Sequence, residues 1–237
     1  MQPSYLDRLG APVKDFVREL EQRANIDIQV LPDPLLNCGG PLRQGHLEVL
    51  VEERRNFIFA PTNGYFPDGA VRHELLHVKR FHVDGVPKLT AAARGGGSIS
   101  PDAMGHLDNA IEHIAIVPWE LRLHPERREH WEAVMHGVCL ALPDVPRDEL
   151  NLALCMHWTF LRHVLPESKP AETARRFAVG QGLLEMADRF ADRFLAARNK
   201  EAAVQLLFAT FPEMDKDHAV LEYISSRTGT VQRPIIP

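Results

Sequence analysis

Residues 73–77 of this chain read His-Glu-Leu-Leu-His, an order of residue types that has a definite chemical use on a helix. Residues four apart share a helix face, so His73 and His77 can present two imidazole nitrogens to one zinc ion at about 2.0–2.1 Å. Glu74 then stands beside the ion. There its carboxylate can take a proton from metal-bound water, whose pKa the ion lowers, and hand it to the leaving amine of a peptide bond. Val71, Leu75 and Val78 point roughly away from the histidines and are expected to anchor the helix on a core. A catalytic zinc takes three protein ligands and leaves one position for water. Glu112, flanked by Ile111, Ile114, Ala115 and Ile116, is the leading candidate for the third ligand, with His113, Asp108 and His106 as alternatives. Asp108, one turn before Glu112, is suited to hold a ligand histidine by its other ring N–H. Tyr65 and His113 are candidates to stabilise the oxyanion of the transition state.

Several elements must position these residues. Val13, Phe16, Val17, Leu20 and Ala24 recur at helical spacing and predict an amphipathic first helix. Three β-prone runs follow, Ile26 to Leu31, His46 to Val51 and Asn56 to Ala60, separated by turn-rich or charged segments that include Cys38-Gly39-Gly40-Pro41. Asp68 is placed to cap a helix running to about His82, and a second long helix is expected from Asp102 to Val117, ending before Pro118. The Gly95-Gly96-Gly97 segment between them reads as a loop able to move as a lid. Beyond Arg122 the periodicity is helical in 126–142, 147–164, 170–198, 200–211 and 215–226. The expected fold class is therefore α+β: a small sheet with the site helices in residues 1–122, an all-helical subdomain in 123–227, and an extended tail in 228–237. The helical half offers a packing surface and a candidate homodimer face.

Composition narrows the function classes. The chain has 237 residues, 45% of them hydrophobic, enough to bury a sizeable core. A formal net charge of −5 and no dense Lys/Arg run argue against a nucleic-acid or anionic-membrane partner. No run approaches the roughly 18 apolar residues of a membrane span, and no secretory signal is legible, so a cytoplasmic protein is expected. Cys38, Cys139 and Cys155 lack paired close spacing and are expected to be buried or free thiols.

Over roughly residues 46–120 the sequence resembles the gluzincin metallopeptidases, in which a His-Glu-x-x-His helix is followed by a second helix carrying a glutamate ligand. The resemblance is carried by His73, Glu74 and His77. It implies a zincin-type sheet, zinc as cofactor, Glu112 as third ligand, and a protein or peptide substrate that pairs in extended form with an edge strand, for which Asn56–Ala60 is the matching segment. Positions 115 and 116, Ala and Ile, lack the acidic residue that many gluzincins place shortly after the ligand glutamate. The extended metzincin pattern would make His82 a ligand, but Arg80 and Val83 stand where it needs Gly and His. The chain is also similar to small bacterial or phage-associated metallopeptidases that cleave a regulatory protein. Hydrolysis of another amide or ester, and a non-catalytic zinc-binding interaction protein, are the alternatives; the carboxylate beside the first histidine speaks against a purely structural ion.

Overall fold

A computed structural model describes residues 1–37, 46–92, 100–214, 216–225, 228 and 230–236. Cys38, its glycine-rich turn and the Gly95-Gly96-Gly97 segment lie outside the described residues. The fold is mixed α+β, about 64% helical, with small three-stranded sheets. The elements are α1 (Pro3–Leu6), α2 (Ala11–Ala24), β1 (Asp27–Asp33), β2 (Glu48–Val51), β3 (Arg55–Pro61), α3 (Asp68–His82), β4 (Lys88–Ala91), α4 (Pro101–Leu123), α5 (Arg128–Ala141), α6 (Arg147–Val164), α7 (Lys169–Gly180), α8 (Leu184–Leu195), α9 (Lys200–Thr210), β5 (Ala219–Ser225) and β6 (Thr230–Gln232). Among the described residues no helix is long and apolar enough to cross a membrane.

The chain divides into two compact units, each drawn from several segments of the sequence. One unit comprises Met1–Lys88, Trp119–Arg127 and Glu222–Arg233; the other comprises Leu89–Pro118, Arg128–Leu221 and Pro234–Pro237. In the first unit β3 is the central strand, parallel to β1 (Ile28↔Asn56) and antiparallel to β2 (Val49↔Ile58). Asn56–Ala60, expected at a sheet edge, therefore lies in the middle, and β1 and β2 are the edges. Asn56, Ile58 and Ala60 are buried in alternation, as a strand covered on one face requires, a pattern that edge and central strands share. The core joins the apolar faces of α2 and α3 to the sheet through Val17, Leu20, Ile28, Ile58, Val71, Leu75 and Val78.

Two contacts set the register of this unit. The Gln2 side chain bonds both the N–H and the C=O of Val30 on β1, at 2.9 and 3.0 Å. The Asp68 carboxylate accepts from the Gly10 amide at 3.0 and 3.1 Å, tying the start of α3 to the start of α2. Asp68 is thus the first residue of α3, after an N-cap at Pro67, rather than the cap itself. The anion sits where the exposed amides at the start of α2 favour it.

In the second unit α6 packs on α7 and α8, and α5 packs on α7. The expected helical stretch 170–198 is two helices, because Gly182 adopts φ +69° and reverses the chain between α7 and α8. Nor is the second half wholly helical. Ala219–Ser225 is strand β5, which pairs antiparallel with β6 in the expected tail (Tyr223↔Gln232), in a sheet ordered β4-β5-β6. Burial on β5 is near-continuous at Ala219, Val220 and Leu221, so apolar spacing there could not distinguish strand from helix. Cys139 and Cys155 are free and buried, and burial pushes their thiols up to about 11 and about 12.

Candidate metal centre

Helix α3 buries His73, Glu74 and His77 on one side and Val71, Leu75 and Val78 on the other; the last three have no exposed surface. The Nε2 atoms of His73 and His77 lie 3.3 Å apart. Two ligands of a tetrahedral ion at about 2.0–2.1 Å stand about 3.3–3.4 Å apart, so the pair has the spacing that one metal needs.

The other nitrogen of His73 is also committed. Its Nδ1 lies 2.9 Å from Glu120 Oε2, and Glu120 is fully buried. A carboxylate only accepts, so Nδ1 carries the proton and the Nε2 lone pair is left facing His77. The second oxygen, Oε1, accepts from Arg127 Nε at 2.7 Å, and Arg127 Nη1 donates to the Tyr65 hydroxyl at 3.1 Å. The carboxylate that orients His73 is thus Glu120, where the sequence suggested Asp108 for such a role. The reason is α4 itself, which does not stop before Pro118 but continues to Leu123 with Pro118 inside it. Proline removes one helical N–H, leaving the Ile114 carbonyl without its helical donor, but the rest of the helix carries through. Sequence reasoning missed Glu120 and Arg127 for that reason; the available signal was a buried-type spacing of Ile116, Val117 and Glu120 running past the proline.

Electrostatics sharpen the roles. Burial alone would lift the Glu120 carboxyl, but the His73 hydrogen bond and charge, together with Arg127, overcome it and hold the carboxyl down to about 2. Burial lowers the His73 imidazole, and its hydrogen bond to Glu120 and the nearby Glu74 charge more than offset this, leaving it raised. For Glu74 burial dominates and pushes the carboxyl up to about 7. A proton acceptor near neutrality is what base catalysis at neutral pH needs, and a bound dication would pull the value down again. Tyr65 is half-buried, and burial first of all raises its phenol, against the opposing charge of Arg127.

The remaining candidates separate. In the second unit the Glu112 carboxylate lies 2.8 Å from Lys200 Nζ, fully buried, and Lys200 also pairs with Asp108. Asp108 additionally accepts from the Leu89 amide at 2.7 Å. The two acidic candidates on α4 are therefore engaged with a buried lysine. His113 packs edge-on against Trp131, ring centroids 4.9 Å apart. It lies seven residues before Glu120, nearly two full turns, which puts the two within about 20° of one stripe of α4; Glu112 lies about 80° from Glu120. His106 is exposed. His82 is turned to Asn56, with Nε2 and Oδ1 3.0 Å apart, and burial pushes it down to about 4. Compared with protein-family models, curated proteins and solved structures, the chain matches none.

Proposed function

We propose that this chain is a zinc-dependent peptidase in which His73 and His77 hold the ion and Glu74 is the general base. The observation that carries this reading is the paired Nε2 atoms of His73 and His77, 3.3 Å apart, with Glu120 fixing the His73 tautomer. A zinc ion so held supplies Lewis acidity and a bound water acidic enough to lose its proton near neutral pH.

The protein side of the chemistry follows from the surroundings. Glu74, buried and with its carboxyl near 7, accepts the proton of the attacking water and returns it to the departing amine nitrogen. Tyr65, whose oxygen accepts from Arg127, keeps its own O–H to donate to the developing oxyanion. A protein or peptide substrate in extended form pairs along β2, the sheet edge whose Glu48 acts electrostatically on Glu74.

Metal analysis and one substitution test the reading. The purified chain is expected to hold zinc at one ion per molecule. Glu74→Gln is expected to keep that zinc and to lose at least about 100-fold in cleavage of a peptide library read by mass spectrometry. A chain without zinc, or a Glu74→Gln variant that cleaves as the wild type does, defeats it.

A further inference from the structure

The arrangement around Arg127 asks for an explanation that the ligands and the base do not give. Arg127 is almost wholly buried at the end of a short turn, and its backbone N–H is anchored on the His124 carbonyl at 3.0 Å. Its guanidinium donates in two directions, from Nε to Glu120 and from Nη1 to Tyr65. Opposite its aliphatic stem stands Gly69, one turn before His73 on α3. A Cβ added at Gly69 would lie 2.8 Å from Arg127 Cγ, 3.0 Å from Arg127 Cδ and 3.3 Å from His124 Cβ. Nothing in the backbone of Gly69 requires glycine, since it lies within a regular helix without positive φ. Alanine would be the better helix former there by up to about 1 kcal/mol. The arginine stem leaves no room for a side chain there.

We infer that Arg127 is the positioning residue of the proposed zinc centre, holding the Glu120 carboxylate behind His73 and the Tyr65 phenol with one guanidinium, and that Gly69 is the slot that admits it. This rests on the zinc reading of the site. The physical argument is that Glu120 uses one oxygen on each partner. With His73 alone, the carboxylate could turn about its last bond and the imidazole would turn with it. With Arg127 on the other oxygen, the plane of the carboxylate is set, and the His73 lone pair with it. The planar fork of arginine suits this double duty, and a lysine, a point charge on a flexible stem, does not reproduce it. Tyr65 gains in the same way: accepting from a cation sets the direction of its remaining hydrogen and strengthens it as a donor.

Zinc affinity by chelator competition, measured per folded molecule alongside thermal melting, tests the inference on the full chain. Arg127→Ala is expected to weaken zinc binding about 10–100-fold. Arg127→Lys is expected to recover only part of that loss. Gly69→Ala is expected to weaken binding about tenfold despite its better helix propensity, because the added methyl displaces the arginine. In the Arg127→Ala background the same Gly69→Ala change is expected to cost less than about twofold further, since the clash has gone. If Arg127→Ala does not fold, Arg127→Lys and Gly69→Ala decide alone. Wild-type affinity in the Arg127 variants with only a lowered melting temperature would make the arginine a structural tie and overturn the inference. So would a Gly69→Ala effect that is undiminished in the double variant. A wild-type chain that binds no zinc defeats the peptidase reading itself, and this inference with it.

Discussion

Helix α4 takes part in two buried ionic networks, and they differ in what their carboxylates face. Near its middle, Asp108 and Glu112 close on Lys200, a lysine with almost no exposed surface. Near its end, Glu120 bridges His73 and Arg127. Both bury carboxylates against cations, so both carry a desolvation cost that only good partners offset. In the Lys200 network the charges face one another; in the Glu120 network one oxygen is turned to a histidine whose other nitrogen faces His77. A buried carboxylate next to apolar residues announces that it has a partner, but not whether the partner is a side chain or an ion.

The largest way to break this comparison is at Lys200. Lys200→Ala leaves two carboxylates buried without their cation, and unfolding in urea is expected to become easier by about 3–5 kcal/mol. Zinc affinity per folded molecule should change by less than tenfold. An equal loss of zinc at Lys200 and at Arg127 would mean that the two networks are not distinct in purpose. A motif histidine comes next in size. His77→Ala is expected to cost at least about 100-fold in zinc affinity, roughly 3 kcal/mol, whereas Glu112→Gln should stay within about threefold while losing about 1–3 kcal/mol of stability. The reverse ranking would return Glu112 to the ligand set.

Acid should separate the networks by sign. The Glu120 carboxyl titrates near 2 when folded and near its ordinary value when unfolded, so its contribution to stability is complete above about 4.5 and disappears as the pH falls toward 2. Glu120→Gln is expected to flatten that acid limb by on the order of 3 kcal/mol in denaturation curves taken across the range. Burial raises the Asp108 carboxyl in spite of Lys200, so its contribution is complete on the acid side and is lost as the pH rises through the raised value. Asp108→Asn should therefore flatten a slope of the opposite sign, and slopes of one sign in both variants would contradict the assignment. The smallest effect lies away from both networks: Gly182→Ala forces a side chain into φ +69° and is expected to destabilise by about 1 kcal/mol in the same assay.

Much of the first unit was legible from spacing alone. The helix of residues 68–82, its buried histidines and the core face at Val71, Leu75 and Val78 follow from a 3.6-residue period and the His-Glu-Leu-Leu-His pattern. Helix α6 covers the expected 147–164 because its apolar stripe is long and a proline precedes it. What escaped was set by tertiary context. Pro118 reads locally as a stop, yet α4 passes through it to bring Glu120 to His73. Glu112 reads as a ligand because it is acidic among isoleucines, but its partner, Lys200, lies 88 positions later in the chain. Pairings of that range leave no periodic trace. Strand β3 illustrates the same limit, since a buried alternating run shows that a strand exists without showing whether its neighbours leave it at an edge.

The bond from Gln2 to Val30 bears on assembly as well as on register. By occupying both backbone groups of one β1 residue, the amide side chain does what a paired strand would do and blunts that edge against addition of another chain. Among the described residues no strand pairs with the outer side of β2, on which Leu50 is exposed. The sheet is thereby made one-sided. On the proposed peptidase reading, the strand that would receive an extended substrate is the same strand by which two copies would pair, so self-association and substrate binding would compete for one row of hydrogen bonds.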